Sequence, residues 1–191
     1  MIKQAIIPLA GLGTRLLPLT SVFAKELLPI NGKPGVEYIL DECIDAGVKE
    51  IIFIISDKKK MIRDYFYNDA FYKKILKKKK DPRIKKEYEK ILKYKKMIKF
   101  VYQNKPLGTG DAVMKTKKYI NGSHFLMLLP DDLIIKNNCS KSMIKIHSKY
   151  KSSVMASMSV NKKTVSRWGI YKLSKKLTKN DSVIENVIEK P

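Results

Sequence analysis

An apolar strand that runs straight into glycines is the feature that most constrains this chain. Ala5, Ile6, Ile7 and Leu9 read as a buried strand, with Pro8 near its end, where a missing N–H is tolerated. Ala10-Gly11-Leu12-Gly13-Thr14-Arg15 follows at once, and Lys25-Glu26-Leu27-Leu28-Pro29 comes after it. Glycines at this point let backbone N–H groups approach an anion, because no Cβ stands in the way. Arg15 supplies a planar, always-charged fork suited to phosphate, and Lys25 a compact point charge. Together they predict a polyphosphate site at the end of a strand. A tight turn with Arg15 on the surface is the plain alternative.

Two common glycine loops do not fit. No Gly-Lys-Ser/Thr tripeptide follows Gly11 or Gly13, which excludes a P-loop. Leu16 occupies the place where a dinucleotide fingerprint needs a third small residue.

Further along, strands alternate with helices. Gly35 to Ala46 predicts a helix, with Val36, Ile39, Leu40, Cys43 and Ile44 on one face and Gly47 ending it. Ile51 to Ile55 is a continuous apolar run, as in a strand covered on both faces. Asp57 is placed to cap a helix that begins near Lys58. Residues 68–99 read as a lysine-rich, solvated helical insertion broken at Pro82. Phe100 to Tyr102 ends a third strand, Ala112 to Lys118 predicts a helix, and Phe125 to Leu129 another buried strand. Met143 to Tyr150 predicts a helix, Val154 to Val160 a strand, and Gly169 to Leu173 with Val183 to Ile188 a strand pair. This alternation predicts an α/β fold: one Rossmann-like domain over 1–191, with an open, mostly parallel sheet and helices on both faces. Gly11, Gln103 and Asp131 then fall at or just past strand ends, where such sheets bind ligands.

The chain has 191 residues and a formal charge of +22, which invites a nucleic-acid reading. Only Arg15, Arg63, Arg83 and Arg167 among its 40 cations are arginine, the side chain that base and phosphate recognition favours. Lysine is instead spread along nearly every segment, so no dedicated nucleic-acid partner is expected. No apolar run approaches the ~20 residues that span a bilayer. The chain enters its first strand with charged Lys3 inside it, which predicts no signal peptide. Cys43 and Cys139 are far apart and lack a Cys-x-x-Cys spacing, as for reduced thiols in a cytoplasmic protein. His124 and His147 have no metal-ligand spacing and are read as structural or solvent-exposed.

Asp131-Asp132 closes an apolar strand. It is either a Mg²⁺ ligand beside the phosphate loop or an Asx turn. Gln103, with Gly108 and Gly110, is either a base-reading segment or a connecting loop. A glutamine amide offers both a donor and an acceptor, as the edge of uracil does.

The order Ala-Gly-Leu-Gly-Thr-Arg at 10–15, Lys-Glu-Leu-Leu-Pro at 25–29, then Lys33-Pro34 before a helix resembles the sugar-1-phosphate nucleotidylyltransferases. Within them it is most similar to the bacterial UTP–glucose-1-phosphate uridylyltransferases. Related thymidylyltransferases usually carry Gly-Gly-x-Gly-Thr-Arg and Lys-Gln instead. The resemblance spans nearly the whole chain apart from the lysine-rich stretch. It implies transfer of a uridylyl group from UTP to glucose 1-phosphate with Mg²⁺. Arg15 and Lys25 would be catalytic, and Ala10, Gly11, Gly13, Thr14, Glu26, Gln103 and Gly108 would bind the nucleotide. Asp131 would hold the metal, and Gly169, Glu189 and Lys190 would bind the sugar phosphate. The family continues beyond its Glu-Lys-Pro, with a second metal-binding aspartate and subunit contacts. The resemblance therefore implies either a fragment of a longer protein or a C-terminally truncated version, with a homo-oligomer possible where the missing part is present. A thymidylyltransferase and a degenerate nucleotide binder without turnover are the alternatives.

Overall fold

The computed structural model describes residues 2–191. The chain divides into two compact units, residues 1–154 and 155–191.

In the first unit, β1 (Gln4–Pro8) leads into the glycine loop. β2 (Pro29–Ile30) and β3 (Lys33–Pro34) form a short antiparallel hairpin. Its turn places Asn31 and Gly32 at φ 50° and 75°, the pair of left-handed residues that a tight hairpin requires. α1 (Gly35–Asp45) follows. Gly47, at φ 85°, closes it as expected: its N–H donates to Ile44 O and that of Val48 to Cys43 O, both at 3.0 Å.

The remaining elements are β4 (Glu50–Ile55), a 3₁₀ turn (Asp57–Lys59), α2 (Lys60–Tyr67), α3 (Asp69–Lys78) and α4 (Pro82–Lys95). β5 (Ile98–Tyr102), α5 (Gly108–Lys115), β6 (Leu126–Met127) and α6 (Cys139–Tyr150) complete the unit. The sheet order is β5-β4-β1-β6, with every neighbouring pair parallel.

Side chains alternate across this sheet, and both faces are buried. Ala5, Ile7, Ile51, Phe53 and Ile55 pack with Val36, Ile39, Leu40 and Cys43 of α1, Ile62 and Phe66 of α2, and Ile91 and Tyr94 of α4. Ile6, Ile52, Ile54 and Val101 face the other way, against Ala112 and Val113 of α5. Each fully buried Ile or Phe contributes roughly 1.5–3 kcal/mol, which explains why β1 and β4 read as continuous apolar runs. The expected α/β architecture, a parallel sheet between helices, is the one observed.

Four local expectations are corrected. Asp57 does not cap the helix with its side chain; its carboxylate accepts from Asn104 Nδ2, and its N–H donates to Asn104 Oδ1 at 2.9 Å. The segment 68–99 is helical with its break before Pro82, but α4 is solvated on one side only, since Tyr88, Ile91 and Tyr94 are buried. The strand at 125–129 is confined to Leu126–Met127 at the sheet edge, where Met127 is exposed. Residues 154–160 form no strand: they enter no ladder among the described residues, and strand propensity without a pairing partner leaves the backbone irregular.

In the second unit, β7 (Gly169–Lys176) and β8 (Ser182–Glu189) form an antiparallel hairpin, the expected strand pair. Among the described residues no helix is long and apolar enough to cross a membrane.

Candidate active site

The C-terminal ends of the parallel strands converge on one edge of the first unit, and the residues singled out there arrive from distant parts of the chain. The loop after β1 is held by two contacts to Gly13 O: Leu16 N–H donates at 2.9 Å and Thr20 Oγ1 at 2.8 Å. Gly13 itself sits at φ 69°, and a Cβ there would lie 3.1 Å from Thr20 Cγ2. Gly11 differs, because a Cβ at that position would meet nothing within 4 Å. Its glycine leaves open backbone rather than avoiding a clash. The N–H groups of Gly11, Leu12 and Gly13 donate to no partner among the described residues. A run of unpaired N–H groups at a strand end is an anion-binding surface. Thr14 and Arg15 begin the exposed 3₁₀ turn that follows (Thr14–Leu16), and Ala10 is half-buried ahead of it.

Lys25 comes from a second 3₁₀ turn (Lys25–Leu27) and meets Asp131, which lies just past β6. Lys25 Nζ donates to Asp131 Oδ2 at 3.0 Å across 106 residues of sequence. Burial disfavours the Asp131 carboxylate. The Lys25 ammonium bonded to it, aided by the nearby Arg15 charge, outweighs this and holds its pKa below the usual value. Three sequence-predicted residues thus share one electrostatic neighbourhood.

Glu26, a residue expected beside the nucleotide, has its carboxylate turned into the interior. Both carboxylate oxygens accept from Lys59 Nζ at 2.8 Å, and Glu26 is only 3% exposed. Burial lowers the pKa of Lys59, Glu26 opposes that shift, and Lys25 and Asp131 act on it with opposite sign. The pair clips the Lys25 turn to the end of β4. Sequence reading missed Lys59, since the run Lys58-Lys59-Lys60 does not reveal which lysine turns inward.

Gln103, the first residue after β5, is 6% exposed. Its Nε2 donates to Gly108 O at 3.1 Å and to Asp111 Oδ2 at 2.7 Å, while Gly108 opens α5 at φ 89°. Gln103 and Gly108, both expected at the base, are thus bonded to each other. Asp111 was not foreseen, and nothing in the sequence separates it from an ordinary first-turn acid.

In the second unit, the register pairs Gly169 with Glu189. A Cβ on Gly169 would lie 3.1 Å from Glu189 Oε2, so the glycine makes room for that carboxylate. Lys190, at φ 50°, donates its N–H to Trp168 O at 3.0 Å, and its Nζ lies 3.8 Å from Glu189 Oε1. The three residues expected on the sugar side are thus gathered on one hairpin end. The rings of His124 and His147, given no role above, have their centres 4.5 Å apart and line a cavity of about 480 Å³ beside the start of β1.

The chain is similar to known proteins along its whole length. A Methanocaldococcus jannaschii protein is 36% identical over 194 residues, covering 100% of this chain and 66% of its own. The UTP–glucose-1-phosphate uridylyltransferase of Streptococcus pyogenes is 32% identical over 195 residues, covering 100% of this chain and 64% of its own. Among solved structures, the UTP-bound UGPase from Acinetobacter baumannii superposes with a TM-score of 0.88 at 28% identity, covering all of this chain and 68% of that one. The chain thus spans about two thirds of the length of the relatives it matches. Residues 4–191 match the nucleotidyl transferase family model, and the chain belongs to that family.

Proposed function

We propose that this chain carries the nucleotide-binding and transfer site of a UTP–glucose-1-phosphate uridylyltransferase. The observation that supports this most is the meeting of Lys25 with Asp131, under the influence of Arg15, beside a loop of unpaired N–H groups. In the reaction an anionic oxygen of glucose 1-phosphate bonds to the α-phosphorus of UTP. The bond from that phosphorus to the bridging oxygen breaks, giving UDP-glucose and pyrophosphate. The nucleophile already carries its charge, so no general base is required. Catalysis is alignment and charge neutralisation.

Arg15 and the loop N–H groups take the departing pyrophosphate, and Lys25 the α-phosphate. Gln103 and Gly108, with Ala10 and Gly11, hold the uracil. In the second unit, Gly169, Glu189 and Lys190 take the sugar phosphate. Asp131 suits Mg²⁺: its side chain is 56% exposed, and one or two carboxylates plus phosphate oxygens make a usual site for that ion. Bound there, Mg²⁺ would neutralise phosphate charge. The setting we propose is cytoplasmic.

Titration of the chain with Mg·UTP and measurement of pyrophosphate release with glucose 1-phosphate test the reading. Lys25→Ala should weaken UTP binding or turnover about 100-fold. Its melting temperature should barely change, because its partner is largely exposed and such pairs contribute little to stability. A chain that binds no UTP, or a Lys25→Ala variant indistinguishable from the parent, refutes the proposal.

A further inference from the structure

Gln103 makes a polar arrangement that goes beyond holding a base in general. The residue is tied down at both ends, its N–H donating to Ile55 O at 2.8 Å and its Nε2 to two partners on α5. Those partners are Gly108 O and Asp111 Oδ2, at 3.1 and 2.7 Å. The other Asp111 oxygen lies 3.8 Å from Lys115 Nζ, one helical turn on. A carbonyl and a carboxylate can only accept. An amide flanked by two acceptors satisfies both in one orientation, with nitrogen toward them and Oε1 turned away. The reverse orientation would oppose oxygen to oxygen in a nearly buried place.

We propose that Asp111 is a positioning residue that locks the Gln103 amide so that Oε1 is the atom it presents to a base. The site then selects pyrimidines carrying an imide N–H and rejects cytosine. This inference rests on the proposed placement of Gln103 at the base. It also revises the expectation that the amide reads uracil with both donor and acceptor, because the Nε2 hydrogens are already committed. Uracil and thymine carry a ring N–H where cytosine has a bare acceptor nitrogen. An Oε1 held outward therefore meets a donor in the first two and a repelling lone pair in the third. Gln103 by itself gives no discrimination between uracil and thymine, which differ at a position an imide contact does not read.

The 191-residue chain is titrated with Mg·UTP, Mg·dTTP and Mg·CTP. A preference of about ten- to a hundred-fold for UTP over CTP is expected, the range that one buried hydrogen bond against a repelling acceptor provides. Asp111→Ala removes the shorter of the two bonds and leaves Gly108 O alone to orient the amide, so UTP binding should weaken and the UTP-to-CTP ratio should fall about three- to ten-fold. Asp111→Asn keeps an oxygen that can accept from Nε2 and should retain most of the ratio. A residue needed only for folding would not produce this pattern. Should Asp111→Ala fail to fold, Asp111→Ser, which stays polar but is too short to reach Nε2, carries the same expectation. A folded Asp111→Ala or Asp111→Ser with the parental ratio, or a parent that binds UTP and CTP equally, overturns the lock and leaves the nucleotide site standing. A parent that binds neither nucleotide refutes the proposed site and the lock together.

Discussion

Replacing Lys59 by Met should be among the most damaging single changes in the first unit, although Lys59 touches no expected ligand. Its ammonium is 2.8 Å from both oxygens of Glu26, and the two side chains are only 10% and 1% exposed. Opposite charges this close attract by about 6 kcal/mol at an effective dielectric constant of about 20. Desolvating both ions costs a comparable amount, so the intact pair contributes little net stability. Met removes the attraction but leaves the Glu26 carboxylate buried, and loss of one partner from such a pair costs about 3–5 kcal/mol.

Urea denaturation followed by far-UV circular dichroism measures the loss. Tryptophan emission would not, because Trp168 lies in the second unit. Glu26→Leu combined with Lys59→Met should lie within about 1–2 kcal/mol of the parent, giving a coupling of about 3 kcal/mol in a double-mutant cycle. A Lys59→Met variant that loses less than about 1 kcal/mol, with no coupling to Glu26, would refute this account.

Two more outcomes separate packing from function. Gly13→Ala should destabilise by about 1–2 kcal/mol, since it forces a left-handed alanine at φ 69° with its Cβ 3.1 Å from Thr20 Cγ2. Gly11→Ala should leave the urea midpoint unchanged, because its Cβ meets nothing, while weakening Mg·UTP binding by covering open N–H groups. Burial, then the neighbouring Glu42 charge, pushes the Cys43 thiol up to about 12, so at about pH 8 roughly one thiol in ten thousand is ionised. Thiol-reactive dye at that pH should modify half-exposed Cys139 first and Cys43 only on unfolding. The raised Cys43 value stabilises the fold below about pH 9. That contribution is lost as pH rises toward 12, so denaturation midpoints should decline in alkali.

Much of the first unit was legible because its signals are local. The apolar runs of β1 and β4, the helical spacing of α1 and the glycine that closes it each act within a few residues. The segment 154–160 was misread because alternation shows only that a strand could form, and a ladder needs a partner. Asp57 was misread for a related reason. An Asp before a helix suits a cap, but Asn104 was close enough to claim its carboxylate. Glu26 was assigned to the nucleotide by the resemblance; its pairing with Lys59 was not legible, because adjacent side chains on a 3₁₀ turn diverge and this carboxylate points inward.

The residue order by itself determined the alternating α/β pattern, the bare glycine loop and the chemistry of Arg15, Lys25, Gln103 and Asp131. These follow from side-chain type and short-range spacing. Tertiary structure alone decided which charges meet. Lys25 reaches Asp131 and Lys59 neutralises Glu26 because parallel strands bring their C-terminal ends to one edge, whatever their separation in sequence. Pairings across such distances depend on sheet order and burial, which no local pattern encodes.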